Sequence, residues 1–568
     1  MNEEESTDII INAWIYNNKA KNMLITSFSA FYAFIVILFA LVLELAQVYD
    51  VENNDKKFKD DNYNDTMHNN YSDTTEAQFN NYKNIFFGIY MYGGSLAIFV
   101  FFYIYLLFKK TPSMKKCLNS VSSEISIEST ITESGSLTLP SRNVTHDRPS
   151  SGSLFERLGM VIFGIIGVVY YAFPLFIYVG DHEYKALKLV QDILSIVFFF
   201  IQMHFLFCNS SLNINSYHCL AKFGFMHLIS TNIWTWIRYI LIEETHMKHE
   251  IKDIILGDEE LLSMYHNTNS VFPYSSKENH SCNGASCVME HFGAIMYTCI
   301  VEYSLICAGI TFSLWRNMSI CKNKDLTYVS RKKHIRIDCS NTTTGLFSGL
   351  AFLTTTLTCT ALFYSFQMVH EGHKAIVLFN TTDLLQYSVT IFVCCFAAWK
   401  MRFFQYNDIK NVSLRNQQYL DNLLLLLGVM GELLYSITGV VGLLGAKEFN
   451  SFNILLIITH LVRLCQVATQ SCLIYIAMHL KACTEGSIND KKKPGKEIIT
   501  FLIICNMSMF IMNMLETGHV GASEEIINFY GKYSWIVLVR SFSPLTIFYR
   551  FHSAVCFVEI WKNVYSNK

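Results

Sequence analysis

The sequence predicts an all-α integral membrane protein of about twelve transmembrane helices arranged as two six-helix halves. Three observations carry that expectation. The 568 residues are 51% hydrophobic and only 16% charged, whereas a soluble domain carries roughly 25% charge; the mean hydropathy is +0.27. Apolar runs of about 20 residues, the length that crosses a hydrocarbon core, recur along the whole chain. Two of these runs share a pattern of polar marks. Residues 223–244 hold Asn232 at mid-depth and glutamates at the end; residues 501–519 hold Asn506 inside and Glu516-Thr517 at the end. A polar group in hydrocarbon is costly and is kept where it has a partner or a water-filled path. The match therefore points to a duplicated fold with one buried polar station per half.

The elements follow in order. Residues 1–22 are polar, show no cleavable leader, and read as a cytoplasmic tail. The first half, 23–315, holds apolar runs near 23–47, 85–108, 158–179, 188–208, 220–242 and 291–315. A linker, 316–344, leads to the second half, 345–560, with runs near 345–366, 377–399, 422–445, 452–479, 498–516 and 533–560; residues 561–568 form a tail. The loop 109–156 is Ser/Thr-rich with basic residues at both ends, and reads as a disordered cytoplasmic segment open to phosphorylation. Loops after the even-numbered spans hold about twice as many Lys and Arg as the others, which places both termini in the cytoplasm. Glycosylation sequons at Asn64, Asn70 and Asn279 all fall in loops predicted to be external. Cys282 and Cys287 flank a short polar turn in one of these and are a disulfide candidate. Cys394, Cys395, Cys465 and Cys472 lie in apolar runs, where cysteine acts as a small hydrophobe. A net charge of -2 gives no reason to expect a nucleic-acid partner.

Inside the spans, Gln202 lies in span four, Asn232 and Arg238 in span five, and Glu302-Tyr303 in span six. Two amides and a phenol can bond one another or water, and so wet a narrow passage through one bundle. In the second half, span ten holds His460, Arg463, Gln466 and Gln470; span eleven holds Asn506; span nine holds Glu432; span twelve holds Tyr549, Arg550 and His552. Residues 470–474 can be laid over 202–206, and Asn506 then matches Asn232. A single Gln or Asn in such a helix often only bonds a neighbouring helix; ionisable groups such as Glu432, His552 and Glu302 are dearer at depth and point more strongly to function. Arg238 and Glu243 lie near a membrane edge, where snorkelling or a structural pair is the simpler reading. His204 and His227 read as helix-packing histidines.

A second constellation is external. One loop carries His246, His249, His266, His280 and His291 among Glu243, Glu244 and Glu250; another has His370, Glu371 and His373; a third has His519 close to Glu516. Histidine changes charge between about pH 5 and 8, so external acid would charge this face. His246 and His249, one helical turn apart, could also hold a divalent ion such as Zn²⁺. The alternative is an ordinary solvated loop.

Several stretches resemble the otopetrin family of proton channels. They are Glu156-Arg157-Leu158-Gly159 with Phe163-Gly164 in span three, and Lys222-Phe223-Gly224-Phe225-Met226-His227 leading to Thr231-Asn232 and Trp236-Ile237-Arg238 in span five. Val301-Glu302-Tyr303-Ser304 and Trp315-Arg316-Asn317 in span six continue the likeness, and Ser543-Pro544-Leu545 with Phe548-Tyr549-Arg550-Phe551-His552 resembles the family's terminal pattern. The resemblance implies twelve spans in two halves, a homodimer in the plasma membrane, inward proton flow under external acid, block by zinc, and no cofactor. It also implies a polar triad in each half: Gln202, Asn232 and Tyr303 in the first, and Gln470 and Asn506 in the second, whose third member is left open. Relatives can carry Asp where this chain has Asn232. Glu432 and His552 resemble a buried acid and histidine of the second half. Gln466, Arg238, Glu243, Glu302 and Glu516 are the remaining polar candidates for structural or gating roles.

The expected function is thus an acid-activated, proton-selective channel. The alternative is a proton-coupled secondary transporter of a small solute, to which a repeated twelve-span chain is also suited. A non-conducting receptor is a third reading. No GxSxG, P-loop or HExxH supports an enzyme.

Overall fold

The computed structural model describes residues 18–61, 70–108, 144–145, 151–178, 186–214, 217–266, 285–318, 342–369, 372–406, 412–445, 450–481, 494–516, 529–530 and 542–565; some helix ends, among them 48–61, 70–81, 243–266, 285–291 and 516, are described by their backbone alone. The first six long helices are α1 Asn18–Asp61, α2 Asn70–Phe101 (continued by a π-helical stretch, Phe102–Phe108), α3 Leu154–Tyr178, α4 Ala186–Cys208, α5 His218–His266 and α6 Ala285–Met318. The next six are α7 Thr343–Met368, α8 Gly372–Met401, α9 Val412–Leu444, α10 Ser451–Ala477, α11 Lys496–Glu516 and α12 Ser543–Val564. Two short antiparallel ladders lie between helices. In the first, β1 Val144–Thr145 pairs with β2 Asn213–Ile214; in the second, β3 Gln405–Tyr406 pairs with β4 Leu480–Lys481.

Among the described residues, ten of these helices are long and apolar enough to cross a membrane. α5 and α12 fall outside that set because of their polar content. α5 carries Lys222, His227, Asn232 and Arg238; α12 carries Arg550, His552 and Glu559. Both are enclosed by other helices, and in α12 every residue of 544–557 is buried. A helix walled by protein need not be apolar all round, because its neighbours satisfy its polar groups. α1 and α8 show the opposite pattern. Phe28, Phe31, Ile35, Phe39 and Val42 of α1, and Leu385, Val389, Phe392 and Phe396 of α8, point outward, as lipid-facing helices do.

The packing repeats. In the first six helices the principal contacts are α1 with α5, α5 with α6, α3 with α6, α3 with α4, α2 with α4, α2 with α5 and α1 with α2. In the last six they are α7 with α11, α11 with α12, α9 with α12, α9 with α10, α8 with α10, α8 with α11 and α7 with α8. Adding six to each number converts the first set into the second. The ladders follow the same rule, since β1 and β3 precede the third helix of each set and β2 and β4 precede the fifth. α6 joins the two sets by packing on α9, α11 and α12, and α3 also reaches α12. The apolar core runs across this seam through Leu420, Leu424, Phe510, Leu545, Phe548 and Phe551.

Several boundaries differ from the sequence expectation. α1 continues to Asp61, α2 starts at Asn70 and α5 continues to His266, so stretches read as external loops are helical. A helix already nucleated by an apolar run propagates cheaply through good helix formers such as the Glu, Lys, Met and Leu of 243–264. Asn70, Glu243, His246 and His249 are therefore helical residues, and Cys287 lies in the first turn of α6 rather than in the external loop expected there. Asn64, Asn279, Cys282, His370 and His519 lie outside the described residues. α12 starts at Ser543, with Pro544 in its first turn, where proline is preorganised for a helix start. The loop expected to be disordered over 109–156 is structured at its far end. Residues 144–145 form β1, and α3 opens with a capping box: Ser153 N–H donates to Glu156 Oε2 (2.8 Å) and Glu156 N–H to Ser153 Oγ (3.1 Å).

Candidate functional site: a buried amide pair in each helix set

In the first six helices, α4 presents Gln202, α5 presents Asn232 and α6 presents Tyr303, all buried. Gln202 Nε2 donates to Asn232 Oδ1 (2.8 Å) and Asn232 Nδ2 donates back to Gln202 Oε1 (3.2 Å) and to the Leu228 carbonyl (2.8 Å). The Tyr303 hydroxyl donates to the Phe199 carbonyl (3.3 Å), three residues before Gln202, and its ring stacks on Phe199 at 4.3 Å. α3 comes close here because it carries Gly164; a Cβ at that position would meet Met203 Sδ and, at 2.9 Å, the Tyr303 ring.

The last six helices repeat the amide pair bond for bond. Gln470 of α10 donates to Asn506 Oδ1 of α11 (2.9 Å), and Asn506 Nδ2 donates to Gln470 Oε1 (3.2 Å) and to the Leu502 carbonyl (2.9 Å). The third member is Tyr549 of α12. Its hydroxyl donates to the Val467 carbonyl (3.3 Å), again three residues before the glutamine, accepts from Gln470 Nε2 (3.3 Å), and lies 2.9 Å from Ser471 Oγ. Gly428 of α9 takes the place of Gly164, and a Cβ there would lie 3.0 Å from Tyr549 Cα. The position left open by the sequence is thus filled. The sequence carries a signal for it, because Tyr549 stands on the last helix of its set as Tyr303 does, but there it shows only as part of the terminal motif.

Around the second pair lies a charged network that, among the described residues, has no counterpart at the first pair. Glu432 is fully buried between two arginines. Arg463 Nε donates to its Oε2 (2.6 Å), and Arg550 Nη2 lies 2.8 Å from its Oε1. Arg550 Nη1 donates to Gln466 Oε1 (2.6 Å), and Gln466 Nε2 donates to Gln470 Oε1 (2.9 Å). Tyr387 sits under both guanidinium groups, at 5.7 Å from Arg463 and 5.2 Å from Arg550, and its hydroxyl donates to Asp383 Oδ2 (3.2 Å). In the register set by the matched glutamines, tyrosines and glycines, Glu432, Arg463, Gln466 and Arg550 correspond to Val168, Ser195, Phe198 and Ser304. Phe198 is fully buried and packs on Tyr92 at 5.2 Å.

The structure separates two residues that the sequence grouped. Glu432 belongs to this network, whereas His552 lies at the seam between the two helix sets. There, His552 Nε2–H donates to the Asp421 carbonyl of α9 (2.9 Å), and Nδ1 faces Glu156 Oε1 of α3 at 3.6 Å. Sequence reasoning did not select Glu156, Asp421 or Asp383 as site residues; each stands at or near the end of an apolar run, where a charge is unremarkable. Glu302 is fully buried on α6, and neither oxygen has a hydrogen-bond partner among the described residues. Arg238 lies 5.4 Å over the Trp234 ring, whose Nε1–H donates to Glu44 Oε1 (2.8 Å). His204 and His227 each bond a neighbouring helix, with Nδ1 at 2.7 Å from the Tyr103 hydroxyl and at 2.8 Å from the Tyr32 hydroxyl.

The external candidates are less fully placed. His373 is exposed, with its ring 5.6 Å from that of Phe452. The side chains of His246, His249, Glu243, Glu516, Cys287 and Asn70 lie outside the described residues. Among the described residues, no three His, Cys, Asp or Glu side chains converge to hold a metal ion.

The bundle of long apolar helices, two of them polar and enclosed, with paired amides at depth, defines an all-α integral membrane protein. The chain belongs to the otopetrin family, whose model matches residues 155–551. It is similar to the proton channel OtopLc of Drosophila melanogaster, with 28% identity over 84% of this chain and 33% of that protein. It is also similar to the human proton channel OTOP3, at 22% identity over 74% of each chain, and to the zebrafish (Danio rerio) proton channel OTOP1, at 21% over 73% of this chain and 79% of that one. The chain therefore spans about a third of the fly protein and about three quarters of the vertebrate ones. These relatives are named as channels, not as enzymes.

Proposed function

We propose that this protein is a proton-selective channel of the plasma membrane, opened by external acid and carrying H⁺ inward down its gradient. The observation that carries the reading is the duplicated Gln–Asn–Tyr cluster, buried at equivalent places in a family whose matched relatives are named proton channels. A proton can hop along waters held by amides, phenols and carboxylates, whereas Na⁺ and K⁺ must carry or replace a hydration shell. A thin, sparsely charged seam therefore favours H⁺. In this reading Gln202, Asn232, Tyr303, Gln470, Asn506 and Tyr549 wet the seams, and Glu432 and His552 tune them. The chain divides into repeats over 23–315 and 345–560 with both termini in the cytoplasm, supported by the pattern of basic loops. External histidines, His246, His249, His370, His373 and His519, sense acid and take Zn²⁺ as an inhibitor, and two copies assemble as a dimer; these parts rest on the family resemblance.

The test is whole-cell current under stepped external pH in sodium-free solution. An inward current whose reversal potential moves about 59 mV per pH unit of gradient, the one-electron-charge Nernst slope, is the expected result. A reversal that follows Na⁺ or Cl⁻ instead overturns the proposal.

A further inference from the structure

The two amide pairs are alike in geometry but not in what remains free to bond. An amide oxygen accepts two hydrogen bonds and an amide nitrogen donates two. Gln470 uses all four. Its oxygen accepts from Asn506 Nδ2 (3.2 Å) and Gln466 Nε2 (2.9 Å), and its nitrogen donates to Asn506 Oδ1 (2.9 Å) and the Tyr549 hydroxyl (3.3 Å). Gln466 is itself fixed, because its oxygen takes the Arg550 guanidinium at 2.6 Å, and Arg550 is held against Glu432 at 2.8 Å. Both residues are fully buried. The Gln202 oxygen, by contrast, accepts one bond among the described residues, from Asn232 Nδ2. The place corresponding to Gln466 is filled by Phe198, which has no group to donate.

A hopping proton needs an acceptor that can take a new donor and let go of it. Gln470, being saturated, offers no such lone pair, so a proton reaching Asn506 Oδ1, which accepts from Gln470 alone among the described residues, has no onward acceptor in the pair. A fixed guanidinium two hydrogen bonds from Gln470 also opposes the arrival of another positive charge in a low-dielectric interior. From these observations we infer that the Gln202–Asn232 pair is the one on the proton route, and that Gln466, held by Arg550, locks the Gln470–Asn506 pair shut. The inference rests on the proton-channel reading above and narrows it to one half, with Gln466 as the positioning residue that sets the difference. It also gives the buried ion pair a purpose, since Glu432 keeps Arg550 where it clamps Gln466.

The test uses the full-length protein, purified and reconstituted in liposomes under an imposed pH gradient, with proton uptake normalised to monodisperse protein by size exclusion. The double variant Gln202→Leu/Asn232→Leu, which removes both partners and leaves neither amide orphaned, is expected to lose flux by about ten-fold or more. If it is not monodisperse, Gln202→Met replaces it with the same expectation. Adding Gln466→Met to the silenced variant frees the Gln470 oxygen and is expected to restore flux several-fold. Monodisperse Gln202→Leu/Asn232→Leu that keeps more than half of the wild-type flux overturns the inference, as does failure of Gln466→Met to raise flux in that background. Wild-type protein that passes no protons in the same liposomes would instead sink the channel reading itself, so the two failures are distinguishable.

Discussion

Glu432 illustrates how tightly single residues are constrained in this interior. Its carboxylate is fully buried and faces Arg463 on one oxygen and Arg550 on the other. Desolvating three charged groups is expensive, and the arrangement is tolerable only because each partner is present. Glu432→Ala would leave two guanidinium groups facing each other without an anion. The expected cost is about 3–5 kcal/mol, read as a large drop in the melting temperature of detergent-purified protein. The triple variant Glu432→Leu/Arg463→Met/Arg550→Met removes the charges together and should recover most of that loss, because apolar residues of similar volume can replace a buried ion group. A single variant as stable as wild type would show that the network is not a structural unit. The sequence exposed Glu432 plainly, as a lone acid among leucines and glycines. It did not expose the partnership, because Arg463 and Arg550 are 31 and 118 residues away and nothing local says that α9, α10 and α12 converge.

At the scale of helices, the third element of each set is shaped by a glycine that lets it approach the triad tyrosine. Gly428 is the sharper case, since a Cβ there would press at 3.0 Å on the Tyr549 backbone, which cannot swing aside as a side chain does. Overpacking of this kind costs about 1–3 kcal/mol, so Gly428→Ala should lower the melting temperature. Gly93 in α2 is a control, because a Cβ there meets nothing within 4 Å; Gly93→Ala should be neutral or slightly stabilising, since alanine favours helix over glycine by roughly 1 kcal/mol. Equal melting shifts for the two would refute the packing argument. Helix existence was legible in the sequence because membrane-length apolar runs are a strong signal. Helix ends were not. α1, α2 and α5 pass beyond their apolar runs, where hydropathy falls but helix propensity does not. α5 and α12 were legible for a different reason: their polar residues break an apolar run, and the structure places both helices inside the bundle, where such residues find partners.

At the scale of the whole molecule, the duplication visible in the packing is far stronger than the one visible in the residues. The faint alignment of 202–206 with 470–474 and of Asn232 with Asn506 turns out to mark two helix sets with the same seven principal contacts and the same small ladder. Packing tolerates wide exchange of apolar side chains provided that volume and pattern are kept, so the shared architecture outlasts the shared sequence, and only residues with directional bonds stay recognisable. The seam between the sets follows the same repeat in part, since α6 packs on α9 as α12 packs on α3. It is built from α6 against α9, α11 and α12, and from α3 against α12. Phe551 of α12 is central to it. Its ring lies 5.2 Å from Phe163 of α3 and 5.7 Å from Phe510 of α11, and it occupies the space opened by Gly159, where a Cβ would meet it. Truncating a buried phenylalanine costs about 3–5 kcal/mol, and here the loss falls on the junction rather than on either set alone. A protease site inserted between residues 324 and 325 makes the consequence measurable. After cleavage, wild-type protein should still elute from size exclusion in detergent as one species, held by the seam. Phe551→Ala protein cleaved in the same way should separate into its two fragments, or do so at lower temperature, while uncleaved Phe551→Ala stays monodisperse. Fragments that remain together as firmly as in wild type would show that the aromatic contact of α3 with α12 contributes little, and that α6 alone binds the two sets.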